Sequence, residues 1–131
     1  MSAGSGPGRD HRLPRSRRIH RSADIIALLR RGKRSRTTHL DVYDSAAPGR
    51  FPRAGVIVGR YGRPVVERNL LKRRLREILR RDVLPALRAA DRAVDVLVRV
   101  RREAYGAGYR ELRDELRGWM SERWPAESSS P

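Results

Sequence analysis

The sequence contains no cysteine among its 131 residues, and only 5% of the residues are aromatic. Without cysteine the chain has no disulfide, no thiolate nucleophile and no cysteine-ligated zinc site. The sequence also lacks a long apolar run that would predict a membrane-spanning helix. The N-terminal residues contain no apolar region of the kind found in a secretory signal. We therefore expect a cytoplasmic protein with no membrane partner.

Acidic residues are scarce as well: 15 Asp and Glu accompany 31 Lys and Arg, which gives a net charge of +16. A small acidic substrate does not require so much positive charge, so a polyanion is the expected partner. Only Lys33 and Lys72 of the basic residues are lysine. Arginine binds phosphate through two groups and stacks on bases, which suits RNA, but a GC-rich genome also favours arginine.

The segment 66–81 contains seven basic residues, two acidic residues and a regular apolar stripe. On an α-helix the apolar stripe consists of Leu71, Leu75, Ile78 and Leu79. The polar residues on the neighbouring arc are Asn69, Lys72, Arg73, Arg76 and Arg80. Arg68, Lys72 and Arg76 recur one turn apart, close to the phosphate spacing of a nucleic-acid strand. Two acidic residues cannot neutralise these repelling arginines, so the arc favours an anionic partner over a purely solvated surface.

The composition divides the chain into three parts. Residues 1–13 are rich in Gly, Ser and Pro, which predicts a disordered arm, and residues 122–131 are predicted to form a disordered tail. A single RNA-binding domain is expected over residues 14–121. It begins with a basic stretch that includes Arg15, Arg17 and Arg18. This stretch is equally consistent with an RNA-binding arm and with a solubilising segment.

The predicted fold class is α+β, a small sandwich with the order α-β-β-α-β-α and helices packed on a mixed sheet. Gly32 is expected to end the first helix as a left-handed glycine, and residues 33–36 are read as a loop. Strand Ala54–Arg60 is apolar on both faces, so it is expected at the centre of the sheet, in a hairpin with the strand before it. The last two strands flank the basic helix and are expected to be parallel neighbours. The other predicted elements are helix Ser22–Arg31, strand Thr37–Asp44, strand Val94–Val100 and helix Tyr109–Met120.

No set of residues in the sequence predicts a protein active site. His11, His20 and His39 are not paired at acid–base or metal-ligand spacing, and Asp41 with Asp44 is weak support for a metal site. We therefore assign no catalytic residue and no metal ligand to this chain. If it serves catalysis, its partner supplies the reacting groups.

The run Arg68-Asn69-x-x-Lys72-Arg73-x-x-Arg76-Glu77 resembles the signature helix of the bacterial ribonuclease P protein subunit. The strand AGVIVGR before it, the valine strand after it and the basic N-terminal stretch agree with that family. The resemblance implies a fold like the second domain of ribosomal protein S5, with a left-handed βαβ crossover. It also implies a partner RNA that carries the catalytic chemistry with magnesium, removing 5′ leaders from precursor tRNA. The protein alone is then expected to be inactive, with no small-molecule substrate.

The resemblance assigns two kinds of site. Ile25, Leu29 and Tyr43 match positions that guide the leader, but Ile25 and Leu29 replace the aromatic residues usual in the family. Leu70 replaces the second arginine of the signature. Two other interpretations stay open: a ribosomal or RNA-chaperone binding module, and a DNA-binding architectural protein. The expected RNA-binding residues are Arg68, Asn69, Lys72, Arg73, Arg76, Arg80, Arg15, Arg17, Arg18 and Arg60.

Overall fold

A computed structural model describes residues 13–125. Most of the predicted arm and the last six residues of the predicted tail lie outside these residues. Among residues 13–125, no helix is long and apolar enough to cross a membrane. The helices are α1 Ser22–Arg31, α2 Val65–Ile78, α3 Leu84–Ala89 and α4 Tyr109–Arg123, and the strands are β1 Lys33–Arg36, β2 Leu40–Ala46, β3 Arg53–Ile57 and β4 Val94–Val100. Two short 3₁₀ turns are Arg15–Arg17 and Arg102–Gly106, and a π-helical turn, Leu79–Val83, joins α2 to α3.

The four strands form one mixed sheet in the order β1-β2-β4-β3. The pairing of β3 with β4 is parallel, as predicted, and the other two pairings are antiparallel. The predicted hairpin of the strands now called β2 and β3 is wrong, because β4 lies between them. Alternate residues of β4 are buried in cores on opposite faces of the sheet, so β4 takes the centre. β3, predicted to be central, lies at the edge, where the Ile19 amide donates to the Ala54 carbonyl at 2.9 Å.

Strand β1 is absent from the sequence prediction, which read Lys33, Arg34 and Arg36 as part of a loop. These residues pair with β2 in a register that sets Arg34 opposite Tyr43. A short, strongly charged strand is typical of a sheet edge, where charge discourages pairing with other chains. The next strand also begins later than predicted, at Leu40, because residues 37–39 form the turn from β1.

The sheet separates two hydrophobic cores of unequal size. On one face, alternate residues of β2 and β4 pack against α2 and α4, with Leu75, Ile78 and Leu116 fully buried. On the other face, α1 covers a smaller cluster that contains Tyr43 and Leu97. Successive residues of both strands therefore alternate between the two cores. Leu13, which the prediction assigned to the arm, is buried in the larger core.

Gly32 ends α1, but not as the predicted left-handed residue. Its φ angle is −67°, which any residue can adopt. Instead, a Cβ atom at this position would lie 2.6 Å from the Leu28 carbonyl oxygen. The glycine is therefore required by the close approach of the backbone. Among residues 13–125, the glycine with a positive φ angle is Gly62, in the turn before α2, at +74°.

The last helix continues to Arg123, past its predicted end at Met120 and past the predicted start of the tail at residue 122. The Arg123 guanidinium donates two hydrogen bonds to the buried carboxylate of Asp44, at 3.0 and 3.1 Å. Trp119 is buried and packs edge-on against Trp124 with ring centroids 5.4 Å apart. These contacts hold the end of α4 against the sheet.

Candidate nucleic-acid interface

Helix α2 presents two faces with different partners. Leu71, Leu75 and Ile78 are buried in the larger core, as the predicted stripe requires. Pro64 precedes the helix in an extended conformation, so the missing amide hydrogen of its ring leaves no helical bond unmade. Because the buried stripe fixes the rotation of the helix, it also fixes which residues point outward. The outward arc, called the basic row below, consists of Arg68, Asn69, Lys72, Arg73 and Arg76.

The cations of the basic row are not neutralised by neighbouring acids. In the described part of the chain, Arg68, Lys72, Arg73 and Arg76 form no ion pair with a carboxylate. The one nearby hydrogen bond of this set runs from Arg68 Nε to the Arg63 carbonyl oxygen at 3.4 Å. Four positive charges on two and a half turns of helix therefore remain available to an anion.

Arg80, predicted as part of the same arc, is engaged differently. Its guanidinium and that of Arg81 lie 3.1 Å from the two oxygens of Glu77. The sequence placed Arg73 and Arg81 one turn on either side of Glu77. Arg80 and Arg81 both lie in the π-helical turn, which follows the end of α2. Glu77 thus pairs with arginines beyond α2.

Arg18 joins the basic row from a distant part of the sequence. It lies beside β3, bridged to Ala54 in a parallel arrangement. Burial lowers the pKa of Arg76 below its ordinary value, and the positive charge of Arg18 lowers it further. The Arg18 Nε is buried and finds no acceptor among residues 13–125. Two adjacent cations without an acid between them favour a bound anion such as phosphate.

The other predicted RNA-binding residues are exposed at two places outside the row. Arg15 and Arg17 are exposed in the 3₁₀ turn that precedes Arg18. Arg60 is exposed in the turn before α2, where its carbonyl accepts a bond from the Arg63 amide at 2.7 Å.

The structure brings the three predicted leader-contact residues into one cluster. Ile25 and Leu29 of α1 are half-buried beside Tyr43 of β2 in the smaller core. Tyr43 itself is only 4% exposed, and the Arg99 guanidinium lies over its ring at 5.3 Å. The tyrosine therefore forms the floor of this surface, while the α1 side chains form its accessible edge.

The sheet surface beside this cluster is basic. Burial of Asp41 opposes its ionisation, but a hydrogen bond from Arg36, the charge of Arg34 and a bond from Arg99 outweigh it. The pKa of Asp41 is therefore below its ordinary value. One carboxylate thus gathers three arginines on an open face of the sheet, which suits a polyanion lying across it.

An aromatic cluster at the start of α2 was missed by the sequence analysis. Arg63 lies over the ring of Tyr105 at 5.1 Å, and Arg102 lies over Tyr61 at 5.5 Å. The Tyr105 hydroxyl donates to the Gly59 carbonyl at 2.7 Å, and burial raises its pKa. The two residues of each arginine–tyrosine pair are too far apart in the sequence for any local spacing to indicate these contacts.

The buried carboxylates and His39 are occupied by structural contacts. Asp95 pairs with Arg53 at 2.7 Å, and the other buried carboxylates, Asp41 and Asp44, also bind arginine. His39 Nδ1 lies 2.7 Å from Glu115, whereas His11 lies outside the described residues. Across residues 13–125 no group of three or more His, Cys, Asp or Glu side chains is arranged to hold a metal ion. These residues do not fit a protein-bound magnesium site.

Comparison with known proteins gives a consistent result. The family model described as Ribonuclease P matches residues 13–123. The ribonuclease P protein component of Acidothermus cellulolyticus is 38% identical over 110 residues, covering 79% of this chain and 85% of that protein. The corresponding protein of Rhodococcus opacus is 30% identical over 115 residues, covering 82% and 89%.

Solved structures share the fold. The ribonuclease P protein of Staphylococcus aureus superposes with a TM-score of 0.70 at 21% identity, covering 82% of this chain and 94% of that chain. The Thermotoga maritima protein superposes with a TM-score of 0.68 at 22% identity, covering 83% and 98%. The match to the family model, residues 13–123, includes the basic row and all but the last two described residues. The chain therefore belongs to the family of bacterial ribonuclease P protein subunits.

Proposed function

We propose that this protein binds a ribonuclease P RNA through the basic row of α2 and supports endonucleolytic removal of the 5′ leader from precursor tRNA. The observation that carries this proposal is a set of four cations on a helix of fixed rotation that pair with no carboxylate among residues 13–125. They are Arg68, Lys72, Arg73 and Arg76. Such a row can follow a phosphate backbone at one contact per turn. A ribosomal or chaperone-type RNA-binding module is less favoured, because the family match covers the domain.

The reacting groups of this enzyme belong to the RNA in our proposal. The buried carboxylates of residues 13–125, Asp41, Asp44 and Asp95, are held by arginine, so none of them offers a free general base. In the same residues no group of acids is arranged to hold a divalent ion. Magnesium held by the RNA and the substrate supplies the activated water. The protein neutralises phosphate repulsion where the RNA and the substrate meet. The protein alone is then inactive, and the cytoplasm, where tRNA precursors occur, is its predicted compartment.

The reconstituted particle provides the test. A bacterial ribonuclease P RNA should cleave precursor tRNA at a lower magnesium concentration when this protein is added at near-physiological salt. The reason is that the protein's cations replace part of the divalent charge needed to bring two polyanions together. The measurement is cleavage rate against magnesium concentration, with the protein alone as the control. An unchanged magnesium requirement would contradict the proposal and favour the binding-module alternative.

The surface of Ile25, Leu29 and Tyr43 is proposed to contact the leader. Replacing Ile25 with phenylalanine should then tighten binding of precursor tRNA, because stacking of one base on an aromatic ring contributes about 1–3 kcal/mol. A gain of at least fivefold is expected for precursor tRNA and no gain for mature tRNA. The measurement is the ratio of the two dissociation constants for the reconstituted particle.

Ile26→Phe is the matched control. Ile26 is the next residue of α1, but its side chain is 48% exposed and lies outside the smaller core. The Ile26→Phe variant adds the same ring to the same helix, but outside the cluster that contains Ile25, Leu29 and Tyr43. If both variants improved the ratio equally, the gain would come from general ring contact and the leader assignment would be withdrawn.

A further inference from the structure

Phe51, the single phenylalanine of the sequence, lies on the surface rather than in either core. Its side chain is 51% exposed in the loop between β2 and β3. The guanidinium of Arg88 from α3 lies over the ring at 4.6 Å from its centroid. An exposed aromatic ring covered by arginine is the pairing on which unpaired nucleic-acid bases stack.

A cavity of about 270 Å³ opens beside this ring. Its walls are apolar and its rim is cationic, which matches a nucleotide, with a flat base and a charged phosphate. Among the described residues lining it, none is acidic. The lining residues are Arg17, Phe51, Pro52, Leu84, Pro85, Arg88 and Ala89.

This cavity lies at the end of the helical segment that carries the basic row, because α2 runs through the π-helical turn directly into α3, which supplies Leu84 and Arg88 to the cavity. The positive charge of Arg18 lowers the pKa of Arg76, the last residue of the row. Arg18 directly follows Arg17, which lines the cavity. An RNA strand that extends beyond α2 towards α3 therefore approaches the Phe51 ring, where Arg17 and Arg88 supply positive charge. The cavity beside Phe51 thus offers a site for a base, which a protein partner with acidic side chains would not require.

We propose that Phe51 and Arg88 form a stacking site for one unpaired base of the RNA bound by α2, and that Arg17 contacts the phosphate of that nucleotide. The proposal rests on the function proposed above and adds a specific nucleotide contact to it. The site reads the flat face of a base rather than its edge, so it accepts any unpaired base at the right distance from the row.

The test compares Phe51 variants for binding to a bacterial ribonuclease P RNA. Phe51→Ala should weaken binding by about 5- to 150-fold, the range of one lost base stack. The salt dependence of binding should stay unchanged, because no phosphate contact is removed. Phe51→Trp should retain tight binding, whereas Phe51→Leu should lose as much as alanine because leucine has no π-face. If Phe51→Leu binds as tightly as the wild type, apolar packing alone suffices and the stacking proposal is wrong.

Ile26→Ala is the control for removing an exposed apolar side chain of similar exposure. It should not change RNA binding. Chemical probing of the RNA should show one unpaired base that becomes reactive in the Phe51→Ala complex and stays protected in the Ile26→Ala complex. Thermal unfolding of each free protein separates loss of stability from loss of contact. Normal binding by the Phe51 variants, with wild-type binding intact, overturns this inference alone, whereas absence of RNA binding by the wild type overturns the proposed function as well.

Discussion

Replacing Leu75 with alanine should lower the free energy of unfolding by about 2–5 kcal/mol. Leu75 is fully buried in the larger core, where α2 meets the sheet and α4. The substitution removes three carbon atoms and leaves a cavity that close-packed neighbours cannot fill completely. Because a domain of this size has a total stability of about 5–15 kcal/mol, the loss is a large fraction of it. Urea unfolding followed by circular dichroism measures the change.

Leu70→Ala is the matched control, on the same helix and with the same chemical change. Leu70 is 38% exposed, so its truncation should alter the free energy of unfolding by no more than about 0.5 kcal/mol. Equal losses in the two variants would mean that α2 packs through a different arc. In that case the basic row would not point outward as described.

Replacing Arg68 and Arg73 together with alanine should weaken RNA binding by about 30-fold at 0.1 M salt. Each phosphate contact that is lost lowers the slope of log affinity against log salt by roughly 0.7–0.9, so the slope should fall by about 1.5. The two side chains have no carboxylate partners in the described domain, so little folding stability is lost with them. The measurement is a binding isotherm at four or more salt concentrations.

Arg110→Ala with Arg117→Ala is the charge-matched control for this experiment. Both arginines are exposed on α4, and neither belongs to the basic row. This pair removes the same net charge, so it tests whether affinity follows total charge or the location of the charge. Equal slopes for the two double variants would contradict a specific contact along α2.

The sequence predicted the helices and the buried faces better than the strand pairing. The 3.6-residue period of α2 and the alternation in β4 are local patterns, and both survive in the structure. The position of β4 between β2 and β3 depends on contacts between residues far apart in the chain, which no local pattern records. Strand β1 was missed for a related reason, since its four polar residues become a strand only through pairing with β2.

The candidate site was predictable where one helix carries it. The basic row follows from residue spacing alone. The interaction of the Arg18 charge with Arg76, in contrast, depends on the bridge between Arg18 and Ala54 of β3. The Phe51 site could not be predicted either, because it combines a loop, a 3₁₀ turn and α3. The handedness of the β3-α2-β4 crossover stays a prediction of the family resemblance.

The central strand is also the last strand to be synthesised. As the chain leaves the ribosome, β1 and β2 can pair at once, but β3 has no sheet partner until residues 94–100 emerge. During that interval the nascent chain exposes the leucine stripe of α2 together with its many positive charges. Nascent molecules are therefore at most risk of aggregation, or of premature capture by nearby ribosomal RNA, in the short period before β4 closes the sheet.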